Sequence, residues 1–309
     1  MNQRFKEMLQ RVVNASARPL VNKLSADVWE CQKEVKALRT EVGHVATKET
    51  QVALYLKYRE MVSQKHYPLP SFTEVGFRCH SQFDEDGILL FLFAVIGTTN
   101  RVAVEICAGN GIECNTANLI INHGWWGHLF DGDEKNVAVG NRFFTSLPET
   151  WLFPPTFSHS WITAENVNDV IGASGASGEI DLLSLDIDGM DYWVWQAIEC
   201  IQPRVVVCET HGIIPAELAL TVPYDPNFRA TIPDYHSASL AAMTSLAARK
   251  GYRLVGTHRY GFNAFFVRRG LAEHVLPAVT PAQCVDNPYL ADARAKRWPK
   301  VKDMKWVEV

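Results

Sequence analysis

The chain has 309 residues, 47% of them hydrophobic and 21% charged, with a formal net charge of −4; it can bury a full core and carries no excess of positive charge for nucleic acid or other polyanions. Its seven cysteines form no CxxC pair, which argues against a disulfide framework or a zinc ribbon and points to a reduced, cytoplasmic setting. No apolar run approaches the roughly 20 residues of a transmembrane span, and MNQRFKEMLQRVV at the start lacks a signal peptide's apolar region and cleavage site.

Residues 1–65 read as a helical arm. Leu9, Val12, Val13, Leu20, Leu24, Val28, Val35, Leu38, Val42, Val52 and Leu56 recur at spacings near three and four, with breaks near Pro19 and Gly43. The seam suggests a coiled coil but lacks sustained heptads. Three roles compete: self-association into a homo-oligomer, packing on the chain's own catalytic domain, and peripheral membrane contact through Arg4, Lys6, Arg11, Arg18 and Lys23. His66 to Ser71 reads as the linker out of the arm.

A domain over residues 75–270 follows. In SQFDEDG, acidic residues stand before an apolar helix from about Gly87 to Ile96, where they complement the helix dipole; alternatively, Gln82 and Asp86 reach a ligand across a pocket mouth. Val102 to Ile106 reads as a buried strand ending in Glu105 and in Ala108-Gly109-Asn110-Gly111. Such a turn lets backbone pass close beneath a ligand, because glycine tolerates positive φ. Thr116 to Ile121 begins a helix, and the strand-to-helix junction is where open α/β sheets bind ligands. Trp125 to Phe130 is a second strand, ending in Asp131-Gly132-Asp133. A carboxylate there, about 20 residues past the glycine turn, suits a ribose diol, with Asp131 the better placed and Asp133 the alternate.

The third, edge-type strand ends in Ser160, Trp161 and Ile162, where an adenine ring could pack; Thr163 caps the next helix, with Asn166 in its first turn. Leu182 to Leu185 forms a fourth strand, ending in Asp186-Ile187-Asp188-Gly189 with Asp191 close behind. Carboxylates so dense after an apolar strand need a cation, donors or water. The fifth strand ends in Glu209-Thr210-His211 and should lie beside the fourth. Carboxylates plus histidine suit either a divalent ion or an acid–base pair. A helix and a hairpin (YRLVGTHRY, NAFFVRRG) close the domain, so one of those strands runs antiparallel, and His258 could approach the pocket rim. The tail, 271–309, is expected to pack on the domain through Trp298 and Trp306.

This order of motifs resembles the class I S-adenosylmethionine (SAM)-dependent methyltransferases. More narrowly, SQFDEDGIL, VEICAGNGIECNTANLI, GWWGHLFDGD and the pair Asn141-Arg142 resemble the FkbM-type methyltransferases over about Ser81 to Arg269. Cys107 stands where that family has glycine, Asn110 where aspartate is common, and LDIDGMD is richer in acid than the family's segment. The resemblance implies a Rossmann-like α/β fold: a seven-stranded, mostly parallel sheet, its last strand antiparallel, with helices on both faces. It implies SAM lying over Glu105, Gly109 and Gly111, with its ribose on Asp131, adenine near Ile162 and Trp161, and methionine facing Asp186. Asn115, of the Asn-Thr pair, joins that site with Gln82 and Asp86. The expected reaction is O-methylation of a sugar, glycan or related small molecule, with Asp188 or His211 as base. A Mg2+ or Mn2+ ion on Asp188, Glu209 and His211 is the other route.

Two readings stay open beside it: a metal-dependent nucleotide-sugar glycosyltransferase using Asp186-x-Asp188, and a non-catalytic methyltransferase-like scaffold. A nicotinamide dehydrogenase is disfavoured, because Gly109-x-Gly111 has Cys114 where a third glycine belongs.

Overall fold

A computed structural model describes residues 48–65 and 67–309, together with Lys23. The chain divides into two units, Met1–Thr50 and Gln51–Val309, and the expectations for residues 1–47 lie outside the described residues apart from Lys23. Helix Lys48–Ser63 is the part of the expected arm that is described.

The larger unit is built on one seven-stranded sheet. Its strands are β1 (Val102–Ile106), β2 (Trp126–Asp131), β3 (Thr156–His159), β4 (Gly178–Leu185), β5 (Ile201–Glu209), β7 (Tyr252–Thr257) and β8 (Asn263–Arg268). They lie in the order β3-β2-β1-β4-β5-β8-β7. The pairs among β1 to β5 are parallel, whereas β8 runs antiparallel to both β5 and β7. This is the Rossmann-like sheet expected from the motifs, with its last strand reversed. Strand order turns back between β1 and β4, the point at which such sheets open a crevice.

Side chains alternate between two cores, as the two-residue strand period requires. Val104, Leu183, Val206 and Phe266 join the helices Val167–Ala173, Asp191–Ala197 and Leu240–Arg249 on one face. Ala103, Leu182, Val205 and Phe265 join Glu85–Ile96, Ala117–His123 and Glu134–Ser146 on the other. Because both faces are covered, the central strands read as mainly apolar runs.

The boundaries differ from the sequence reading where polar residues hide regular structure. β4 starts at Gly178 rather than Leu182, since Gly178 to Ile180 pair with Ile201 to Pro203. Its Asp181 is fully buried, receiving backbone N–H groups from Thr99, Asn100 and Arg101 and pairing with Arg204 at 3.2 Å. Thr163 does not cap the following helix: Asn166 is the cap residue, and its amide oxygen accepts from the Thr163 N–H at 2.8 Å.

In the tail, helix Pro288–Val301 puts Leu290 into the main core. A two-stranded sheet joins β6 (Leu220–Thr221) to β9 (Val307–Glu308). The Trp298 and Trp306 rings lie 5.9 Å apart, with Tyr235 4.9 Å from Trp306. Among the described residues no helix is long and apolar enough to cross a membrane.

Candidate functional site

Strand register assembles the site. Ile106 is level with Phe130 and with Leu185, and Leu185 with Cys208. The next residues, Cys107, Asp131, Asp186 and Glu209, therefore stand side by side at the carboxyl edge of the sheet. All four line a cavity of about 1110 Å³.

The glycine turn forms one wall. Gly109 and Gly111 have φ of +57° and +71°, where a side chain would be strained. Cys107 also sits at positive φ (+63°), which explains why glycine would suit that position. Asp131 orients the turn: its Oδ2 accepts from Gly109 N–H at 2.9 Å, while Oδ1 accepts from Asp133 N–H and Asn136 Nδ2 at 2.9 and 3.1 Å. Asp133 also lines the cavity, but its carboxylate accepts from Lys135 N–H and caps helix Glu134–Ser146. Ile162, Trp161 and Ser160 complete this end. Trp161 lies against Gly132, donates from Nε1 to the Pro226 carbonyl at 2.8 Å, and carries the Arg229 guanidinium 3.8 Å over its ring.

Of the residues expected to hold a cofactor, Gln82, Gly109, Asp131, Ile162 and Asp186 line the cavity; Asp86, Glu105, Gly111 and Asn115 do not. Those four brace the walls instead. Glu105 accepts from the backbone N–H groups of Asn115 and Thr116 at 2.9 Å each, and from the Thr116 and Ser184 hydroxyls. Asn115 Nδ2 donates to Ser184 Oγ at 3.0 Å. Gly111 leaves room for the Phe144 and Phe157 rings, which an added Cβ would meet at 2.9 and 3.0 Å. Asp86 Oδ2 gathers the N–H groups of Cys79, His80 and Ser81 at 2.6–2.8 Å, shaping the strap that carries Gln82.

Burial raises the Asp86 carboxyl to about 6, against the pull of those donors. The folded protein therefore holds this proton more tightly than the unfolded chain, and the group's contribution to stability falls as pH rises from about 4 to about 6. The stability advantage of the wild type over Asp86→Asn should accordingly shrink over that range in thermal melts. A difference that stays constant with pH would contradict it.

The opposite wall is the acid and histidine cluster. Asp191, fully buried, accepts from Ile187 and Gly189 N–H at 2.8 and 3.1 Å and fixes the turn after β4; burial pushes its carboxyl up to about 6. Asp188 sits in that turn at φ +56°, exposed to the cavity; aspartate tolerates this region better than most residues. Burial, then the charges of Asp191 and Asp188, raises the Asp186 carboxyl well above its usual range. Glu209 is raised in the same way, by burial and then by Asp186.

His211 lines the cavity, but its Nε2 lies 2.9 Å from the Asp234 carbonyl and its ring packs against His236, 4.4 Å between centroids and tilted by 37°. Burial and then His236 lower it to about 4, so it is neutral at pH 7. The expected ligand set is corrected accordingly: the residues that bring ligand atoms together are Asp188, Glu209 and His236, not His211. No sequence spacing marks His236, which comes from the loop before helix Leu240–Arg249. His258 is likewise corrected. It does not line this cavity but is buried among Phe83, Tyr260 and Phe262, with Nε2 3.5 Å from Glu85.

Asn263, also missed, lines the cavity at 4% exposure; Nδ2 donates to Glu85 at 3.0 Å, and its buried Oδ1 has no partner among the described residues. Its place as the first residue of a strand gave no hint of this.

No protein-family model matches the chain, and no curated protein does, so the FkbM-type likeness has no family match behind it. Solved structures that are similar include a magnesium protoporphyrin IX methyltransferase (ChlM) from Synechocystis PCC 6803 with bound SAM. It has 12% identity and a TM-score of 0.39 over 60% of this chain and 77% of that one. A SAM-dependent methyltransferase from Clostridium acetobutylicum ATCC 824 has 9% identity and a TM-score of 0.38 over 70% and 100%. The glycopeptide N-methyltransferase MtfA with S-adenosylhomocysteine has 12% identity and a TM-score of 0.37 over 65% and 98%. At these values the likeness carries nothing about chemistry.

Proposed function

We propose that this protein is a SAM-dependent methyltransferase, of FkbM-like type, that methylates a hydroxyl of a sugar, glycan or related small molecule in the cytoplasm. The observation that carries the reading is the cavity at the carboxyl edge of the sheet, with a glycine turn, Asp131 and Asp186 on successive strands.

Its electrostatics support the choice of cofactor. Asp131, Asp133, Glu134 and Asp188 line it, with Asp186 and Glu209, whose carboxyls burial pushes towards the neutral form until a cation faces them, against Arg229 and Arg297, and Arg297 is paired with Asp234. SAM carries a sulfonium and an ammonium against one carboxylate, so such walls attract it. A dinucleotide's diphosphate would be repelled. In this reading Asp131 accepts from the ribose hydroxyls, Ile162 packs on the adenine, and Asp186 faces the cationic end. Asn263 Oδ1 offers an acceptor to a ligand donor. SAM supplies the activated methyl group, and transfer is an in-line displacement for which the chain's task is positioning. Asp188, exposed at the opposite wall, takes or holds the hydroxyl proton.

Calorimetric titration with S-adenosylhomocysteine, UDP and NAD tests this. Micromolar binding of S-adenosylhomocysteine alone is expected, without need of a metal. No binding of it, with metal-dependent binding of UDP, would replace methyl transfer by glycosyl transfer.

A further inference from the structure

Asp188, Glu209 and His236 each bring one ligand atom to within 4.8 Å of the others. Donor atoms on opposite sides of a divalent ion lie about 4 to 5 Å apart, so small side-chain adjustments would close this set on one ion. We propose that these three residues hold a divalent transition-metal ion of the Mn2+ type at the acceptor end of the cavity.

The arrangement around His236 prepares it as a ligand. The Ser237 hydroxyl donates to Glu209 Oε2 at 2.6 Å and lies 2.8 Å from His236 Nδ1. Nδ1 also lies 4.0 Å from Glu209 Oε1, a separation that two donor atoms can share across one ion. Ser237 here touches two of the three ligands, and the His211 ring packs beside His236, its centroid 4.4 Å away and its plane tilted by 37°.

The donor types select the ion. Two carboxylates and one imidazole favour a borderline divalent ion over Ca2+ or Mg2+, which prefer all-oxygen sets, and no thiolate belongs to the group. Three protein ligands leave positions open, and Asp188 is exposed to the cavity, so an acceptor's oxygens could complete the shell. An ion there would lower the pKa of a bound hydroxyl and orient it, replacing Asp188 as the group that draws off its proton. That role rests on the methyl-transfer reading; the binding of the ion does not. Asp186 is not in the set.

Mn2+ titration of the metal-free full chain, followed by the electron paramagnetic resonance signal of free Mn2+, tests the proposal. One ion per chain with micromolar affinity is expected. His236→Ala and Asp188→Asn should each weaken it at least tenfold, and His211→Phe, which keeps a ring packed beside His236, should change it less than threefold. Asp188 is exposed, so its variant remains informative if His236→Ala fails to fold. Absence of Mn2+ binding, affinity unchanged in both ligand variants, or a loss in His211→Phe equal to that in His236→Ala would overturn the assignment. S-adenosylhomocysteine titrated into the same samples separates the two claims. Its binding without Mn2+ binding removes the metal alone, and Mn2+ binding without it leaves the metal and removes the methyltransferase.

Discussion

Asp131→Asn should weaken S-adenosylhomocysteine binding about 10- to 100-fold, the size expected for losing hydrogen bonds to a charged acceptor. The side chain keeps its shape, so the cavity remains. What changes is the acceptor capacity of a carboxylate that already holds Gly109 N–H on one oxygen and Asp133 N–H and Asn136 on the other. An amide cannot serve both groups, so the glycine turn loosens as the ribose loses its partner. Asp133→Ala should change affinity less than threefold, since that carboxylate serves the Lys135 N–H of its own helix, and should cost about 1 kcal/mol of stability. Calorimetry and thermal melts on the two variants check both halves. Equal affinities in the two would move the ribose elsewhere.

Gly87→Ala should be the more damaging change to the fold. Gly87 lies in the first turn of helix Glu85–Ile96, and an added Cβ would meet the Val75 carbonyl oxygen at 2.3 Å and the Phe77 nitrogen at 2.4 Å. Both are backbone atoms, in a segment already tied to Gly87 by its N–H donated to Phe77 O at 3.1 Å. No rotamer relieves that contact, so the helix must move off the strap carrying Gln82. A loss of about 3 kcal/mol, or about 5–10 °C in melting temperature, is expected. Gly172→Ala is the control: nothing lies within 4 Å of its Cβ, and alanine in a helix should raise the melting temperature slightly. Similar melts for the two alanine variants would refute the close-approach account of Gly87.

The sheet was legible because its central strands are buried on both faces and so appear as mainly apolar runs, with acid or glycine at or just past their ends. Val102 to Ile106 and Leu182 to Leu185 are such runs, and the register of four parallel strands then brings their terminal residues together. Sequence order could not tell a wall residue from a brace. Glu105 and Asp131 both end apolar strands, but Glu105 is turned to the backbone of Asn115 and Thr116, whereas Asp131 lines the cavity. In SQFDEDG, Asp86 and Gly87 are structural, and Gln82 reaches the cavity. His211 was visible as a histidine at a strand end. Its partner His236 was not, because the loop that carries it back over the sheet has no periodicity to read.

If the protein uses SAM, the nucleoside binds in the cavity beside Asp131. A crystal structure of the protein soaked with S-adenosylhomocysteine tests it most directly. Ribose hydroxyls are expected on the Asp131 carboxylate, adenine against Ile162 and the thioether end toward Asp186. A ligand bound outside this cavity, or one with its ribose away from Asp131, would contradict it.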